Sequence, residues 1–321
     1  MRTVSTSDFF YRLRGCAILS VAYAHSFSLS DVVLRQVASL IGIIGVPLFL
    51  IASGYYFKEQ PLKEFLRSKL INIIIPWFIW GSVAYFISNV ADRETIHFWK
   101  HVSYLIGYGT WLYYVPIYLI ITFIFNFINS RPYLILFLLI SFFSCTLTFS
   151  SLHNIEIITP YQNPLNWVGF FALGVLLKEK SFEKWSKNSI GVILIVGILF
   201  ILLGYLTIFF GLKVCYWNPL CFIFELLGFI LVSNLCIRLN DGRFLSTLGK
   251  YSYLIYFLHM QFGVFTANLL LSFAELPEIL LFFIKPLLVI MITAVYVKLI
   301  ILTVNLGGVQ KFSRYLGIPI K

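Results

Sequence analysis

The two residues best placed to do chemistry are Arg14 and His25, which lie eleven positions apart in one apolar run. Eleven helical steps of about 100° return to within about 20° of the same face and rise by about 16 Å. An imidazole can act as a general base or a nucleophile, and a guanidinium binds phosphate through a fork of donors. An arginine that only sets the membrane orientation and a histidine that only forms a structural hydrogen bond could have the same spacing. The spacing alone therefore gives the catalytic and the structural interpretation equal weight.

Small residues share or border the helix face that carries this pair. They are Ala17, Ser20, Val21 and Ala24. Small side chains leave room beside a helix. We therefore expect a narrow slot that runs from Arg14 at one membrane surface to His25 deep in the span.

The chain of 321 residues has the composition of an integral membrane protein. Hydrophobic residues make up 60% of it and charged residues 12%, whereas a typical soluble domain has about 25% charged residues. This excludes a disordered chain, a disulfide scaffold and a soluble nucleic-acid-binding domain. The net charge of +11 is interpreted as the basic excess of cytoplasmic loops, with a dedicated anion site as the weaker alternative.

A transmembrane helix needs about 20 mostly apolar residues. Ten segments are candidates: 10–28, 36–57, 71–90, 109–128, 132–150, 164–178, 190–210, 216–236, 249–271 and 279–304. The sequence therefore predicts an all-α membrane helix bundle. Pro47 and Pro116 are expected to kink the second and fourth spans.

The distribution of basic residues between the loops predicts the orientation. With a cytoplasmic N-terminus, 18 Lys and Arg residues lie on the cytoplasmic side and four on the opposite side. The positive-inside rule therefore predicts that both termini are cytoplasmic. Because the loops are short, we expect a single membrane domain over residues 1–321 with no fused soluble domain.

Ionisable residues inside the predicted spans need a partner or a cavity, because a charge at the bilayer centre costs about 2.5–3.5 kcal/mol. Glu225 and Lys285 could pair across the bundle, and Lys298 could snorkel to the membrane surface. His259 fits either a structural hydrogen bond to a neighbouring span or a role beside His25.

The other histidines and the cysteines predict neither a metal site nor a disulfide framework. The five cysteines fall mostly inside apolar runs without paired spacing, which is typical of core residues. The histidines in the predicted outer loops lack metal-ligand spacing. They are His97, His101 and His153.

Five segments, in order along the chain, resemble motifs of the acyltransferase-3 family of multi-span membrane acyltransferases. The first is the pair of Arg14 and His25. The others are 45–55, 65–69 leading to 75–77, 111–114 and 251–259. Two positions depart from the family pattern: Gly109 replaces a frequent histidine, and Leu70 replaces a frequent second arginine.

The resemblance implies an O-acyltransferase of the cytoplasmic (inner) membrane. It implies acetyl-CoA as donor substrate, no tightly bound cofactor, and a lipid-linked or cell-surface glycan as acceptor. His25 would be catalytic, either as a general base or through an acyl-histidine. The residues expected to bind the acyl-CoA phosphates are Arg14, Arg67 and Lys69.

Four further side chains are candidates for supporting or acceptor contacts: Ser53, Trp111, Glu225 and His259. For Ser53 we expect helix packing first and cavity lining second. Trp111 fits an interfacial aromatic belt, or more specifically a platform on which a sugar stacks.

Two other functions compete with acyl transfer. A transporter or exporter of a glycan or small molecule would also have many spans, buried charges and internal prolines, and it would have matching broken spans in its two halves. No such correspondence is visible in the sequence. A non-catalytic scaffold would leave the shared face of Arg14 and His25 unexplained.

Overall fold

A computed structural model describes residues 4–27, 29–92, 95–128, 130–150, 159–179, 190–239, 241–274, 276–308 and 310–319. Over these residues the chain is helical and has no β-strand, which confirms the all-α class. The α-helices are α1 Thr6–Ser26, α2 Val32–Ile43, α3 Gly45–Tyr56, α4 Leu62–Lys69, α5 Ile75–Asp92, α6 Phe98–Leu105, α7 Tyr114–Phe125, α8 Arg131–Ser150, α9 Val168–Glu179, α10 Ile190–Phe209, α11 Pro219–Arg238, α12 Arg243–Lys250, α13 Ser252–Leu258, α14 Phe265–Leu271 and α15 Glu278–Leu306.

Shorter turns link several of these helices. Two are π-helical, Leu70–Ile74 between α4 and α5 and His259–Val264 between α13 and α14. A 3-10 turn, Trp111–Tyr113, leads into α7. The consequence is that α4–α5 and α13–α14 are continuous helical segments with a wider turn inside each.

Seven helical segments in the described ranges are long and apolar enough to cross a membrane. They are Val32–Tyr56, Leu62–Val90, Arg131–Ser150, Ile190–Phe209, Pro219–Arg238, Ser252–Leu271 and Glu278–Leu306. Two shorter apolar segments, Trp111–Phe125 and Val168–Lys178, coincide with the fourth and sixth predicted spans. The first predicted span is α1, a helix of 21 residues that carries Asp8, Arg12 and Arg14. Ten spans and cytoplasmic termini stay predictions.

A break in the second predicted span lies next to Pro47, as expected, whereas Pro116 does not lie in the interior of a helix. α3 begins at Gly45 and α7 at Tyr114, and both prolines therefore lie in the first helical turn. An N–H in the first turn has no intrahelical acceptor, so proline costs little there. The second predicted span is interrupted at Ile44, between α2 and α3 and three residues before Pro47.

Helix α1 is central to the fold. It packs against α2, α3, α11, α12, α13 and α15. It contributes Leu13 and Ala17 to one apolar core, shared with α3, α7, α9 and α11. It contributes Ile18 and Ala22 to a second core, shared with α13 and α15. The side chains of α1 thus lie between two packed groups of helices.

Helices α3 and α9 cross at a pair of glycines. A Cβ atom on Gly54 would lie 2.1 Å from the carbonyl oxygen of Phe171, and one on Gly174 would lie 2.1 Å from that of Ile51. Only glycine permits this approach between two backbones. In the 45–55 segment, Gly54 therefore serves helix packing.

Glu225 and Lys285, which the sequence allows to pair, form no ion pair. Glu225 is fully buried in α11, and neither carboxyl oxygen has a hydrogen-bond partner among the described residues. Lys285 is partly exposed on α15. α11 and α15 belong to different apolar cores, which is why two residues that look complementary in the sequence do not meet.

Candidate active site

Arg14 and His25 line one cavity of about 250 Å³, which we call the slot. They lie on the same helix, with His25 in the last turn of α1 and about three turns between them. Small residues of α1, Val21 and Ala24, also line the slot. The remaining wall is mainly aromatic: Phe49, Trp111, Tyr114, Tyr118, Tyr253 and Tyr256.

The start of α1 is held firmly in place. The hydroxyl of Ser5 caps the helix and accepts a hydrogen bond from the backbone N–H of Asp8 at 3.2 Å. Arg12 is buried and forms an ion pair with Asp8 at 2.7 Å. Arg12 also donates to the carbonyl oxygens of Cys236 and Leu239, at 3.0 and 2.8 Å. These contacts tie α1 to the end of α11 and fix the direction of the residues that follow.

Arg14 differs from Arg12 in its surroundings. Its guanidinium carbon lies 5.7 Å from the centre of the Tyr56 ring. Within the described part of the chain, it forms no ion pair with a carboxylate. The Arg14 charge is thus held by a cation–π contact and remains available to an anion.

A second cavity, of about 230 Å³, adjoins the slot at Arg14. We call it the basic cavity, because Arg14, Lys58 and Lys69 all line it. Ser53 and Tyr118 line both this cavity and the slot. The ammonium group of Lys69 donates to the Tyr118 hydroxyl at 3.1 Å and lies 4.5 Å from the centre of that ring. Three basic side chains therefore surround one end of the slot.

Not every predicted basic residue reaches this place. Arg67 is exposed on α4 and is not among the residues that line the basic cavity, although Lys69 on the same helix is. Lys58, which was not predicted as a phosphate ligand, lines the cavity as well. Of the three predicted phosphate ligands, the structure brings together Arg14 and Lys69.

At the other end of the slot, His25 lies next to a second histidine, which does not line the slot. The ring centres of His25 and His259 are 5.3 Å apart. His259 is fully buried, and its Nδ1 atom lies 2.7 Å from the carbonyl oxygen of Tyr256. The hydroxyl of Tyr256 in turn donates to the carbonyl oxygen of Trp111 at 2.6 Å. These bonds join α13 to the 3-10 turn before α7.

A third cavity, of about 680 Å³, adjoins the slot at His25. We call it the aromatic cavity. His25, Trp111, Tyr113 and Tyr216 line both it and the slot. Tyr161 lines the aromatic cavity but not the slot. Its ring centre lies 5.3 Å from that of Tyr113 and 6.0 Å from that of Tyr216.

The three cavities follow one another along α1. The basic cavity and the slot share Arg14, and the slot and the aromatic cavity share His25. This arrangement can bind a long anionic ligand by its charged end and bring its far end to the imidazole. A second ligand can reach the same imidazole from the opposite side.

A comparison with protein families decides what kind of protein has this site. The acyltransferase-3 family model, an acyltransferase domain, matches residues 9–302, which is nearly the whole chain. The chain belongs to the acyltransferase-3 family. It is therefore a membrane acyltransferase. Comparisons with curated proteins and with solved structures gave no match.

In this acyltransferase-3 chain, the backbone conformation explains why glycine, and not the family's frequent histidine, occupies position 109. Gly109 has a φ of 69°, and Gly107 in the same turn has a φ of 86°. Both values lie in the left-handed region that favours glycine. Both residues line the aromatic cavity. A histidine at 109 would strain this turn, so the family's frequent imidazole is absent from this wall.

Of the side chains predicted to support the site of this acyltransferase, some line the cavities and one does not. Ser53 lines the slot and the basic cavity, while its neighbour Gly54 packs the helices. Trp111 is only 9% exposed and lines the slot and the aromatic cavity, so it does not form an exposed belt. Glu225 is buried and lines neither the slot, the basic cavity nor the aromatic cavity.

Several tyrosines of the site, among them Tyr118 and Tyr216, were missed by the sequence analysis. Tyr118 follows Tyr114 by one helical turn, and this spacing could have placed both on one face of α7. Tyr216 lies in a loop before α11, and nothing in its local sequence distinguishes it from other loop tyrosines. It reaches the slot only through the packing of distant segments.

The loop histidines have local partners. His97 Nε2 lies 2.8 Å from the Thr95 hydroxyl, and His101 Nε2 lies 3.0 Å from the Ser82 hydroxyl. Burial lowers the pKa of His101. His153 lies outside the described residues. Among the residues that are described, no group of three His, Cys, Asp or Glu side chains is suited to hold a metal ion.

Proposed function

We propose that this acyltransferase transfers an acyl group, specifically acetyl, from acetyl-CoA in the cytoplasm to a hydroxyl of a lipid-linked or cell-surface glycan. One observation carries the proposal: Arg14 joins the basic cavity to the slot, and His25 joins the slot to the aromatic cavity. Donor and acceptor can therefore approach His25 from opposite ends of α1. The predicted orientation, with both termini in the cytoplasm, places the basic cavity on the cytoplasmic side of the inner membrane.

The basic cavity suits the phosphates of coenzyme A. Hydrogen bonds from Arg and Lys to phosphate are charge-assisted and stronger than neutral ones. Arg14, Lys58 and Lys69 supply three cations at the edge of the slot. The slim pantetheine arm would then follow the slot and carry the thioester to His25. Arg67, which is exposed nearby on α4, adds positive charge that attracts the donor.

His25 is proposed as the general base. It takes the proton of the acceptor hydroxyl while that oxygen attacks the thioester carbonyl. A C–O bond forms, the C–S bond breaks, and the departing coenzyme A thiolate receives the proton from His25. A relay, in which His25 first accepts the acyl group and then passes it to the hydroxyl, gives the same products. Both routes need a neutral ring nitrogen that faces the slot.

The aromatic cavity suits a sugar. Trp111, Tyr113, Tyr161 and Tyr216 supply flat apolar faces together with N–H and O–H groups, and such side chains bind ligands that have both apolar and polar surfaces. No attached soluble domain is needed for this step if the acceptor is brought to the membrane on a lipid carrier.

The proposal is tested by replacing His25 with alanine in cells that make the acceptor. His25→Ala should lower acetylation of the surface glycan by about 100-fold or more, since a positioned base contributes about 10²–10⁴-fold. Mass spectrometry of the glycan measures the acetyl groups per repeat, and immunoblotting measures the amount of protein in the membrane. His97→Ala is the matched control, because His97 lies outside the three cavities and should leave acetylation unchanged.

Full acetylation in His25→Ala cells with a normal amount of protein would contradict the proposal. The exporter alternative predicts a different result. Loss of the protein would then lower the amount of glycan at the surface and leave the mass of each repeat unchanged.

A further inference from the structure

His259 lies behind His25 as seen from the cavities. It is fully buried and is not among the residues that line the slot, the basic cavity or the aromatic cavity. The ring centres of the two histidines are 5.3 Å apart. Two imidazoles joined by an N–H···N hydrogen bond of about 3 Å have centres about 5 Å apart. The two rings are therefore close to the distance of a direct bond.

The protonation of His259 follows from its other contact. Its Nδ1 atom lies 2.7 Å from the carbonyl oxygen of Tyr256. A carbonyl oxygen only accepts, so Nδ1 carries the proton and, in the neutral ring, Nε2 is an acceptor. Nε2 is buried and has no hydrogen-bond partner among the described residues. Buried polar atoms are nearly always paired, which makes this free acceptor beside His25 significant.

The backbone at this position is also unusual. His259 is the first residue of the π-helical turn His259–Val264, which widens the helix between α13 and α14. Such turns occur frequently at functional sites, where they change the direction of a side chain. The ring of Trp111 meets the ring of His259 edge-on, with centres 6.2 Å apart, and so limits how the imidazole can turn.

We infer that His259 is a positioning residue whose unpaired Nε2 atom accepts an N–H hydrogen bond from His25 once the adjacent His25 ring turns toward it, and so selects the His25 tautomer. The inference rests on the proposed function of His25. With one ring nitrogen of His25 donating to His259, the other is unprotonated and faces the slot. That nitrogen takes the acceptor proton, or the acyl group in a relay, and the bond to His259 stabilises the charged ring that results.

Two amide substitutions separate this role from a structural one. In His259→Asn the amide occupies the position of Nδ1, so it can donate to the Tyr256 carbonyl but cannot reach His25. In His259→Gln the longer side chain brings the amide oxygen to the position of Nε2, where it can accept from His25. The inference predicts that His259→Asn lowers kcat by about tenfold or more with an unchanged KM for acetyl-CoA, and that His259→Gln is markedly more active.

A purely structural role predicts the opposite order, because only the asparagine variant keeps the bond to Tyr256. That order, or wild-type kcat in His259→Asn, would overturn the inference. His25→Ala is assayed in parallel. If His25→Ala is inactive and the order of the two His259 variants is reversed, only the inference fails; if His25→Ala is active, the proposed function fails.

A second measurement needs no variant at position 259. Nitrogen NMR of the histidine-labelled wild-type protein, with the His25 signals assigned by their loss in His25→Ala, reports the tautomer without any substrate. We expect one dominant tautomer of His25 and a coupling across the hydrogen bond to His259. An equal mixture of tautomers with no such coupling would overturn the inference even if the amide variants failed to fold.

Discussion

Arg12 and Arg14 are two positions apart on α1 and differ in what their charges contact. Arg12 is buried, paired with Asp8 and bonded to two backbone carbonyl groups of α11 and its end. Arg14 lines two cavities and lies 5.7 Å from the centre of the Tyr56 ring. A charge that is already paired stabilises the fold, whereas an unpaired charge beside a cavity is available to a ligand.

Replacing Arg14 should therefore affect donor binding more than folding. Arg14→Ala should raise the KM for acetyl-CoA by about tenfold or more, since hydrogen bonds to charged groups contribute about 1.5–3 kcal/mol. Arg14→Lys should have a KM for acetyl-CoA between those of the wild type and Arg14→Ala, because lysine keeps the charge but loses the fork of donors. Initial rates at varied acetyl-CoA in detergent or vesicles give the KM.

Lys63→Ala provides the control, because Lys63 is an exposed residue of α4 that does not line the basic cavity. It should leave the KM unchanged. An Arg14→Ala enzyme with the wild-type KM would remove the phosphate-binding role.

Helical spacing alone could have shown that the predicted phosphate ligands Arg67 and Lys69 point in different directions. Arg14 and His25 share a helix face, and the structure puts both in the slot. Arg67 and Lys69 are two positions apart on α4, and two steps of about 100° put them on nearly opposite faces. Only one of them could line a given cavity. Which one does so depends on the packing of α7, and this is not visible in the residues of α4.

At the scale of helices, hydropathy predicted where the apolar helical segments lie but not the residues at which the helices begin and end. α9 begins at Val168 because Pro164–Asn166 forms a 3-10 turn, and α11 begins at Pro219, after Asn218 accepts a hydrogen bond from the N–H of Leu220 at 3.0 Å. Caps and short turns of this kind decide the first helical residue. Close crossings were also not predictable, since the partners of a glycine are far away in the sequence.

The crossing of α3 and α9 should be sensitive to one methyl group. Gly54→Ala puts a Cβ atom 2.1 Å from a backbone oxygen, and such overpacking costs about 1–3 kcal/mol. We expect a lower melting temperature and less protein in the membrane. Four of the five free cysteines are buried, so thiol labelling during heating follows unfolding.

Ser53→Ala is the matched control for this substitution. Ser53 is the adjacent residue but lines the slot, so the alanine variant should melt at the wild-type temperature. Equal melting temperatures for Gly54→Ala and the wild type would show that the crossing tolerates a side chain.

At the scale of the whole molecule, the site depends on contacts that no local pattern predicts. Trp111, Tyr216 and Tyr256 come from three separate segments and meet around one slot. The separation of Glu225 from Lys285 has the same origin, since it reflects which core each helix joins. Composition, a family resemblance and one helical spacing were enough to predict the all-α class and the shared helix face of Arg14 and His25, which both line the slot. The walls of the slot required the three-dimensional structure.

The proposed function depends most on the continuity of the three cavities, through which a donor on one side of the membrane would meet an acceptor on the other. Vesicles of defined orientation test it directly. The vesicles enclose a glycan acceptor, and labelled acetyl-CoA is added outside.

We predict that vesicles with the cytoplasmic face outward transfer label to the enclosed glycan, that vesicles of the opposite orientation do not, and that His25→Ala abolishes the transfer. Equal transfer in both orientations, or transfer by the His25→Ala protein, would contradict the account.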